Sequence, residues 1–441
     1  MGPMRRTKPK ASTYHGAPQH TPRAVKISSD PRSQYKNYHV SVMKTLILQE
    51  LKDSLWHDVD VMQLIGLLLP QPDPPLDIDD LLKSNKMLSQ SLEWHTSLSM
   101  PNTVTGQSAK GSTVTGQSAE FRVATWLNKI SNIYGKLGKP DSQLINPPRL
   151  WNSDACQRPL PGKTKRKPDI ILTDNYTRRG QKVWGWEDVH VFIEVTSKQP
   201  PKNILCAQMR ATLYSKAFMV FQAQPNRRFV LALTICRSQM YINLLDRAGA
   251  VHSSPINMVE QPAVVLRVLM GIVFATASTI GYDPSITDVD GAKVACCKNQ
   301  KYAIDSILFA HHMIRGRATI CWRARKDKED YVIKDSWPNV KRTQSESQFL
   351  RKAAEKNITG VPVLVDDEDL KVDGTTDNTD NRRVLSGGGR KIKESIKKRE
   401  EEVDSRVHRR LVLQPAAIPL PYFSSKRELV SVLIDIIKGM L

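Results

Sequence analysis

Residues 315–337 read RGRATICWRARKDKEDYVIKDSW. Two runs of strand-forming residues flank a charged turn, so the stretch reads as a β-hairpin. The first run starts beside Gly316, and the second carries an apolar segment, Tyr331-Val332-Ile333, that ends on Lys334. A helix over Ser345–Glu355 is expected next. In it Glu346, Phe349, Leu350 and Ala353 fall at i, i+3, i+4 and i+7 and share one face. Glu355 lies nine residues beyond Glu346 and points to the opposite side. Asp335 alternates away from Lys334 on the strand.

Other phrases are equally irregular and ordered. They are KPDIIL (167–172), FIEVTS (192–197), YSKAFMVFQAQPNRRFVLALTIC (214–236), YINLLDRAGAV (241–251), GYDPSI (281–286), IKDSW (333–337) and PLPYFSSKREL (419–429). Through these segments the chain, from about Phe121 onward, resembles the fungal-type protein kinase family. The resemblance implies an accessory region followed by the N-lobe of a kinase domain. There a glycine-containing hairpin covers the ATP phosphates, and the lysine of a V-A-I-K-type strand reaches them and pairs with a helix glutamate. It therefore implies ATP and Mg2+ as cofactors, phosphorylation of protein Ser/Thr as the activity, and Gly316, Lys334 and Glu346 as ATP-binding residues.

Two departures from the family pattern matter. A full G-x-G-x-x-G is missing, because Ala318 occupies the next loop position. No H-R-D-x-x-x-x-N and no D-F-G motif follows Lys334, and in His408-Arg409-Arg410 an arginine stands where the aspartate belongs. In the family, PLPYFSSKREL precedes a helix and then the catalytic loop. This sequence stops within that helix, so the chain alone is expected to be inactive. The competing expectation is a non-catalytic interaction or polyanion-binding protein.

Residues 149–250 have a different rhythm. Asp169–Thr173 and Val189–Thr196 read as strands, Ile204–Gln224 as a long helix stopped by Pro225-Asn226, and Phe229–Cys236 and Met240–Leu245 as two further strands. This skeleton resembles the PD-(D/E)xK nuclease fold, with Asp169 and Glu194 as the two acids that would converge on a divalent cation. The lysine expected two residues after the glutamate is replaced by Thr196, and Lys198 stands one step further along the same face. The pair is thus expected to be a degenerate, inactive remnant. The cluster KTKRKP (163–168) reads as a solvated loop, with steering of nucleic acid or a nuclear-import signal as the alternatives.

Length and charge bound the rest. The 441 residues allow two or three domains, and the formal net charge is +21. Residues 1–38 hold eight Lys/Arg against one Asp, and residues 382–410 hold eleven against five acids. Such segments favour nucleic acid or other polyanions. Six cysteines show no C-x-x-C spacing and read as thiols of a reducing compartment. The N-terminus lacks the apolar stretch of a signal peptide. In the run Ala263–Ile280 the uncharged part is too short to span a bilayer and reads as a buried helix. The expected setting is intracellular, cytoplasmic or nuclear, with no membrane partner.

The expected fold class is α+β. A disordered basic tail (1–38) precedes a helical N-terminal region (39–148) with helices over Val40–Leu69 and Ile78–Leu98. The exact duplication TVTGQSA at 103–109 and 113–119 is read as a surface loop. A mixed α/β nuclease-like accessory domain (149–290) follows. An incomplete protein-kinase-like N-lobe (300–441) completes the chain, interrupted by a disordered insertion at 366–414 that includes Gly387-Gly388-Gly389.

Overall fold

A computed structural model of the chain describes residues 40–52, 54–69, 78–84, 86, 118–136, 147–153, 160, 166–175, 183–196, 205–383, 404–417 and 423–440. The expectations for the basic tail, the first repeat copy, Lys198 and the triple glycine lie outside these residues.

The first sheet has the spatial order β1 (Leu55–Val59), β7 (Gly249–Ser253), β6 (Gln239–Asp246), β5 (Phe229–Cys236), β4 (Val191–Thr196), β3 (Ile170–Asp174), β2 (Arg149–Asn152). A short β8 (Ile256–Asn257) also pairs with β6. Strand β5, FVLALTIC, is buried at every position, as a strand covered on both faces must be. On one face α1 (Val40–Leu51) and α5 (Ala207–Ala223) pack through Met43, Ile47, Leu51, Leu213 and Phe218. On the other, α2 (Val61–Leu68), α4 (Ala119–Lys136) and α6 (Pro262–Val273) pack through Leu64, Trp126, Leu127, Leu266 and Leu269. Helix α5 is the crossover between β4 and its parallel neighbour β5, because a tight turn cannot join parallel strands.

The N-terminal region is not wholly helical. Its expected Val40–Leu69 helix is split by β1, which pairs in parallel with β7 at the sheet edge. Ala250 N donates to Ser54 O at 3.0 Å. Gly249 has φ +143°, and a Cβ there would lie 2.1 Å from Ser54 O, so only glycine permits this approach. The expected helix at Ile78–Leu98 is described as α3 (Ile78–Ser84), with the remainder outside the described residues apart from Lys86. The second copy of the duplication ends at Ser118-Ala119, where Ser118 Oγ accepts from Phe121 N at the start of α4. Helix α6 overlaps the apolar run expected to be buried, and among the described residues no helix is long and apolar enough to cross a membrane.

The second sheet runs β14 (Val363–Asp369), β17 (Arg409–Gln414), β13 (Glu329–Ser336), β12 (Ile320–Lys326), β11 (Gln300–Ala310), β10 (Ala292–Cys297), β9 (Ile286–Val289). All neighbours are antiparallel. The β12–β13 hairpin closes with Lys326 opposite Glu329. Asp327 and Lys328 lie at φ 50° and 70°, the paired left-handed positions of a turn whose twist matches the strands. Asp290-Gly291 and Lys298-Asn299 close the preceding hairpins with the same positive φ. Trp322, Ile333 and Val412 centre the core of this sheet. After β13 comes α7 (Glu346–Glu355), started by a capping box in which Ser345 and Gln348 bond each other's backbone N–H.

Two expectations are corrected here. The second sheet already begins at Ile286, inside the expected accessory domain, because β9 pairs with β10. The insertion expected to be disordered is largely folded. Strand β14 extends to Asp369, a small hairpin joins β15 (Lys371–Val372) to β16 (Thr375–Thr376), and β17 sits between β13 and β14. Only residues 384–403 of that segment lie outside the description. His408, Arg409 and Arg410 lead into β17 and form no catalytic loop. Helix α8 (Lys426–Met440) leaves Val430, Leu433, Ile434 and Ile437 exposed.

The two sheets meet through buried charge. Asp246 at the end of β6 accepts from both terminal nitrogens of Arg383, Nη1 at 2.8 Å. Asp377 takes Arg382 Nη1 at 2.7 Å, Arg228 Nη1 at 3.2 Å and His408 Nδ1 at 3.1 Å. Arg410 bridges Asp335 (2.7 and 2.9 Å) and Asp283 (3.1 Å). Burial works against the ionised Asp377, but Arg382, His408 and Arg228 hold its carboxyl well below the usual range. For Asp283, burial is likewise outweighed by Arg410 and His408, and its pKa is lowered. Removing one member leaves the others buried without a counter-charge, which typically costs about 3–5 kcal/mol. Asp246→Ala is therefore expected to lower the urea unfolding free energy by about that amount. A loss below about 1 kcal/mol, within the range of exposed pairs, would contradict the role given to this joint.

Candidate functional site

The register of the second sheet sets Lys334 between Cys321 of β12 and Leu411 of β17. The helix start sets Glu346 above it. Lys334 Nζ and Glu346 Oε1 lie 2.5 Å apart, and Arg317 Nη2 approaches Glu346 Oε2 at 3.4 Å. All three side chains are partly exposed. Asp335 does not compete for Lys334. It faces the interior, where Trp322 Nε1 donates to it at 3.1 Å beside Arg410.

Gly316 lies in the loop 311–319 between β11 and β12, at φ +124°. Ala318, where the sequence lacks a glycine, nevertheless adopts φ 40° and is buried. A left-handed backbone costs an alanine about 1–2 kcal/mol, so this loop keeps a glycine-like shape without the glycine. The accessory sheet holds the loop. Ile314 N and Arg315 N both donate to Glu50 Oε1 of α1, at 3.0 and 2.7 Å. Gly316 N donates to Arg247 O at 2.9 Å, and Arg247 Nη1 donates to Met313 O at 2.7 Å. Ile314 itself is fully buried within the α1–α5 cluster.

The second constellation lies on the first sheet. Ile170 opposite Ile193 in the antiparallel β3–β4 pair brings Asp169 to Glu194, and Val195 N donates to Asp169 Oδ2 at 2.8 Å. Thr196 has no amine to offer, but Lys216 of α5 forms a close ion pair with Glu194. The crossover helix thus supplies, from above, a cation that the strand lacks. Burial pushes Glu194 up to about 7, opposed by Lys216 and reinforced by Asp169. Asp169 is also raised, chiefly by burial. Lys44 of α1 donates to Thr212 at 3.0 Å, and burial with nearby Arg166 and Lys216 lowers its pKa. The signal for Lys216 in the sequence was a lone charge amid Leu213, Ala217 and Val220, but its partner was non-local.

What each arrangement can do differs. Lys334 carries a partly exposed cation of the kind that pairs with anions, and Glu346 fixes its direction. The Glu194 carboxylate is already neutralised by Lys216, so a divalent ion would have to displace that lysine. Among the described residues, Asp283, Asp335 and His408 offer ligand atoms within 4.8 Å of one another. Arg410 already bonds both of these carboxylates, which makes the group an ion-pair cluster and no fit for Mg2+.

Lys216 has a testable electrostatic role. Without it the folded-state pKa of Glu194, already above the ordinary carboxylate value, rises further. A raised carboxyl stabilises the fold while protonated and loses that contribution as pH climbs through its folded pKa. Lys216→Met is therefore expected to cost more stability at pH 8 than at pH 5 in parallel urea titrations. An equal or larger loss at pH 5 would contradict the pairing.

Neither the curated proteins nor the solved structures contain a match to the chain. The profile of the fungal protein kinase family matches residues 167–441, more than half of the sequence, and covers Asp169 and Glu194 as well as Gly316, Lys334 and Glu346. With its hairpin, its Lys334–Glu346 pair and this match, the chain belongs to the fungal protein kinase family.

Proposed function

We propose that the second sheet is the nucleotide-facing half of a kinase-type site, in which Lys334 meets nucleotide phosphate, Glu346 orients it and the Gly316 loop lies over it. The observation that carries this reading is the 2.5 Å Lys334–Glu346 contact, made by a strand lysine and the first residue of the next helix. In kinases that ion pair must be in place for transfer. The family implies ATP with Mg2+, and Lys334 suits a phosphate by charge and position. The metal is another matter. In kinases it is held by an Asp and an Asn on loops that occur nowhere in these 441 residues, so no metal-dependent step is assigned to this chain.

The chain therefore binds nucleotide phosphate through Lys334 and, by these residues on their own, transfers no phosphoryl group. The Asp169–Glu194 pair is read as a structural ion-pair site with Lys216. A second reading, polyanion binding, rests on the Lys/Arg excess of residues 1–38 and of 384–403. Its original extent is narrowed, because Arg382, Arg383, Arg409 and Arg410 are committed to ion pairs within the fold.

The test pairs MgATP binding by calorimetry with radiolabel transfer from ATP to the chain and to a general acceptor protein. Wild-type protein is expected to bind weakly, and Lys334→Met to reduce affinity by about tenfold or more, the equivalent of one charge-assisted hydrogen bond. No label is expected in either. Affinity indifferent to Lys334→Met would remove the binding claim. Label incorporated by the wild type and lost in that variant would show that other residues complete the site.

A further inference from the structure

Successive backbone N–H groups turned toward one point form an anion-binding concavity, the device by which loops cradle phosphate. The loop between β11 and β12 has such a pair. Ile314 N and Arg315 N converge on a single oxygen of Glu50, at 3.0 and 2.7 Å. The next amide, Gly316 N, is taken by the backbone oxygen of Arg247. A carboxylate from the accessory helix α1 thus occupies amides of the very loop that, in a kinase-type site, lies over nucleotide phosphate.

Two further contacts make this a latch. Ile314 is fully buried in the apolar cluster to which Met43, Ile47 and Leu51 of α1 belong, so the loop cannot move over the sheet without exposing an apolar side chain. Arg247 Nη1 bonds Met313 O at 2.7 Å, and its guanidinium lies 3.9 Å over the Phe221 ring. Beyond the held segment, Arg317 Nη2 reaches Glu346 at 3.4 Å, so the same loop contacts both Glu50 and the partner of Lys334.

We propose that Glu50 acts as a resident substitute for phosphate, an autoinhibitory contact by which the accessory sheet holds the Gly316 loop away from nucleotide. Phosphate and Glu50 compete for the amides of Ile314 and Arg315. Nucleotide affinity is then the intrinsic affinity multiplied by the fraction of molecules with the loop released. This proposal rests on the nucleotide reading of Lys334 and its loop.

The experiment compares full-length wild type, Glu50→Gln and Ile314→Ser by amide hydrogen exchange and by MgATP calorimetry, each also in the Lys334→Met background. Glu50→Gln weakens the charge-assisted bonds while keeping the shape of the side chain. Exchange at Ile314 and Arg315 is expected to speed up by about tenfold or more, and MgATP affinity to rise by a similar factor, since both report the released fraction. Ile314→Ser is expected to raise both through the apolar anchor. Unchanged exchange in both variants would overturn the latch. Faster exchange without tighter MgATP would overturn it as a gate, while Lys334-dependent binding in the wild type would leave the site reading intact. Faster exchange with no Lys334-dependent binding in any variant would overturn both.

Discussion

The structure depends on charges removed from water between two sheets. Asp246, Asp283, Asp335 and Asp377 meet Arg228, Arg382, Arg383, Arg410 and His408 in an interior where an unpaired ion costs several kcal/mol. Each side is meaningless without the other. Arg410 lies in β17 of the second sheet, yet one of its carboxylates, Asp283, follows the last helix of the first. Asp246 closes β6 of the first sheet, yet its guanidinium comes from residue 383, beyond β16. A buried ion pair is weak evidence for net stability, since well-packed apolar residues often do as well. Its geometric effect is stronger, because bidentate contacts tolerate little rotation. The joint sets how the kinase-like sheet sits on the accessory sheet.

The position of the loop beside Lys334 follows from that docking. With the sheets held in this relation, the loop 311–319 meets α1, Ile314 enters the core of the first sheet, and Glu50 reaches the loop amides. Arg317 of the same loop reaches Glu346, the partner of Lys334, at 3.4 Å. The accessory region thus packs directly on the loop that leads into β12. The family match begins at residue 167, so it covers β3 to β8 of the first sheet and all of the second, and leaves β1, β2 and α1 outside it.

Local features were legible in the sequence. The β12–β13 hairpin followed from its apolar runs and charged turn, and Glu346 from helical spacing ahead of Phe349, Leu350 and Ala353. The pairing of Asp169 with Glu194 followed from two strand patterns. What was not legible depends on partners far along the chain. Strand β1, LWHDV, sits between two helices and has only Gly249–Ser253 to make it a strand. The acid-rich end of β14 and the Arg409-Arg410 start of β17 look unfoldable until Glu368 and Asp369 face those arginines across the ladder. Lys216 reads as an ordinary helix residue, and Glu50 as an exposed one, until the crossover and the loop bring their partners.

A buried joint of this kind makes the two sheets a single cooperative unit. Native-state hydrogen exchange under increasing urea tests it most directly, because it assigns an opening free energy to each amide. Amides in β5 of the first sheet and in β12 of the second are predicted to merge into one global opening with the same free energy and urea dependence. Should β12 and β13 open together at a free energy lower by more than about 2 kcal/mol while β5 stays protected, the sheets would be separate units and the joint no lock.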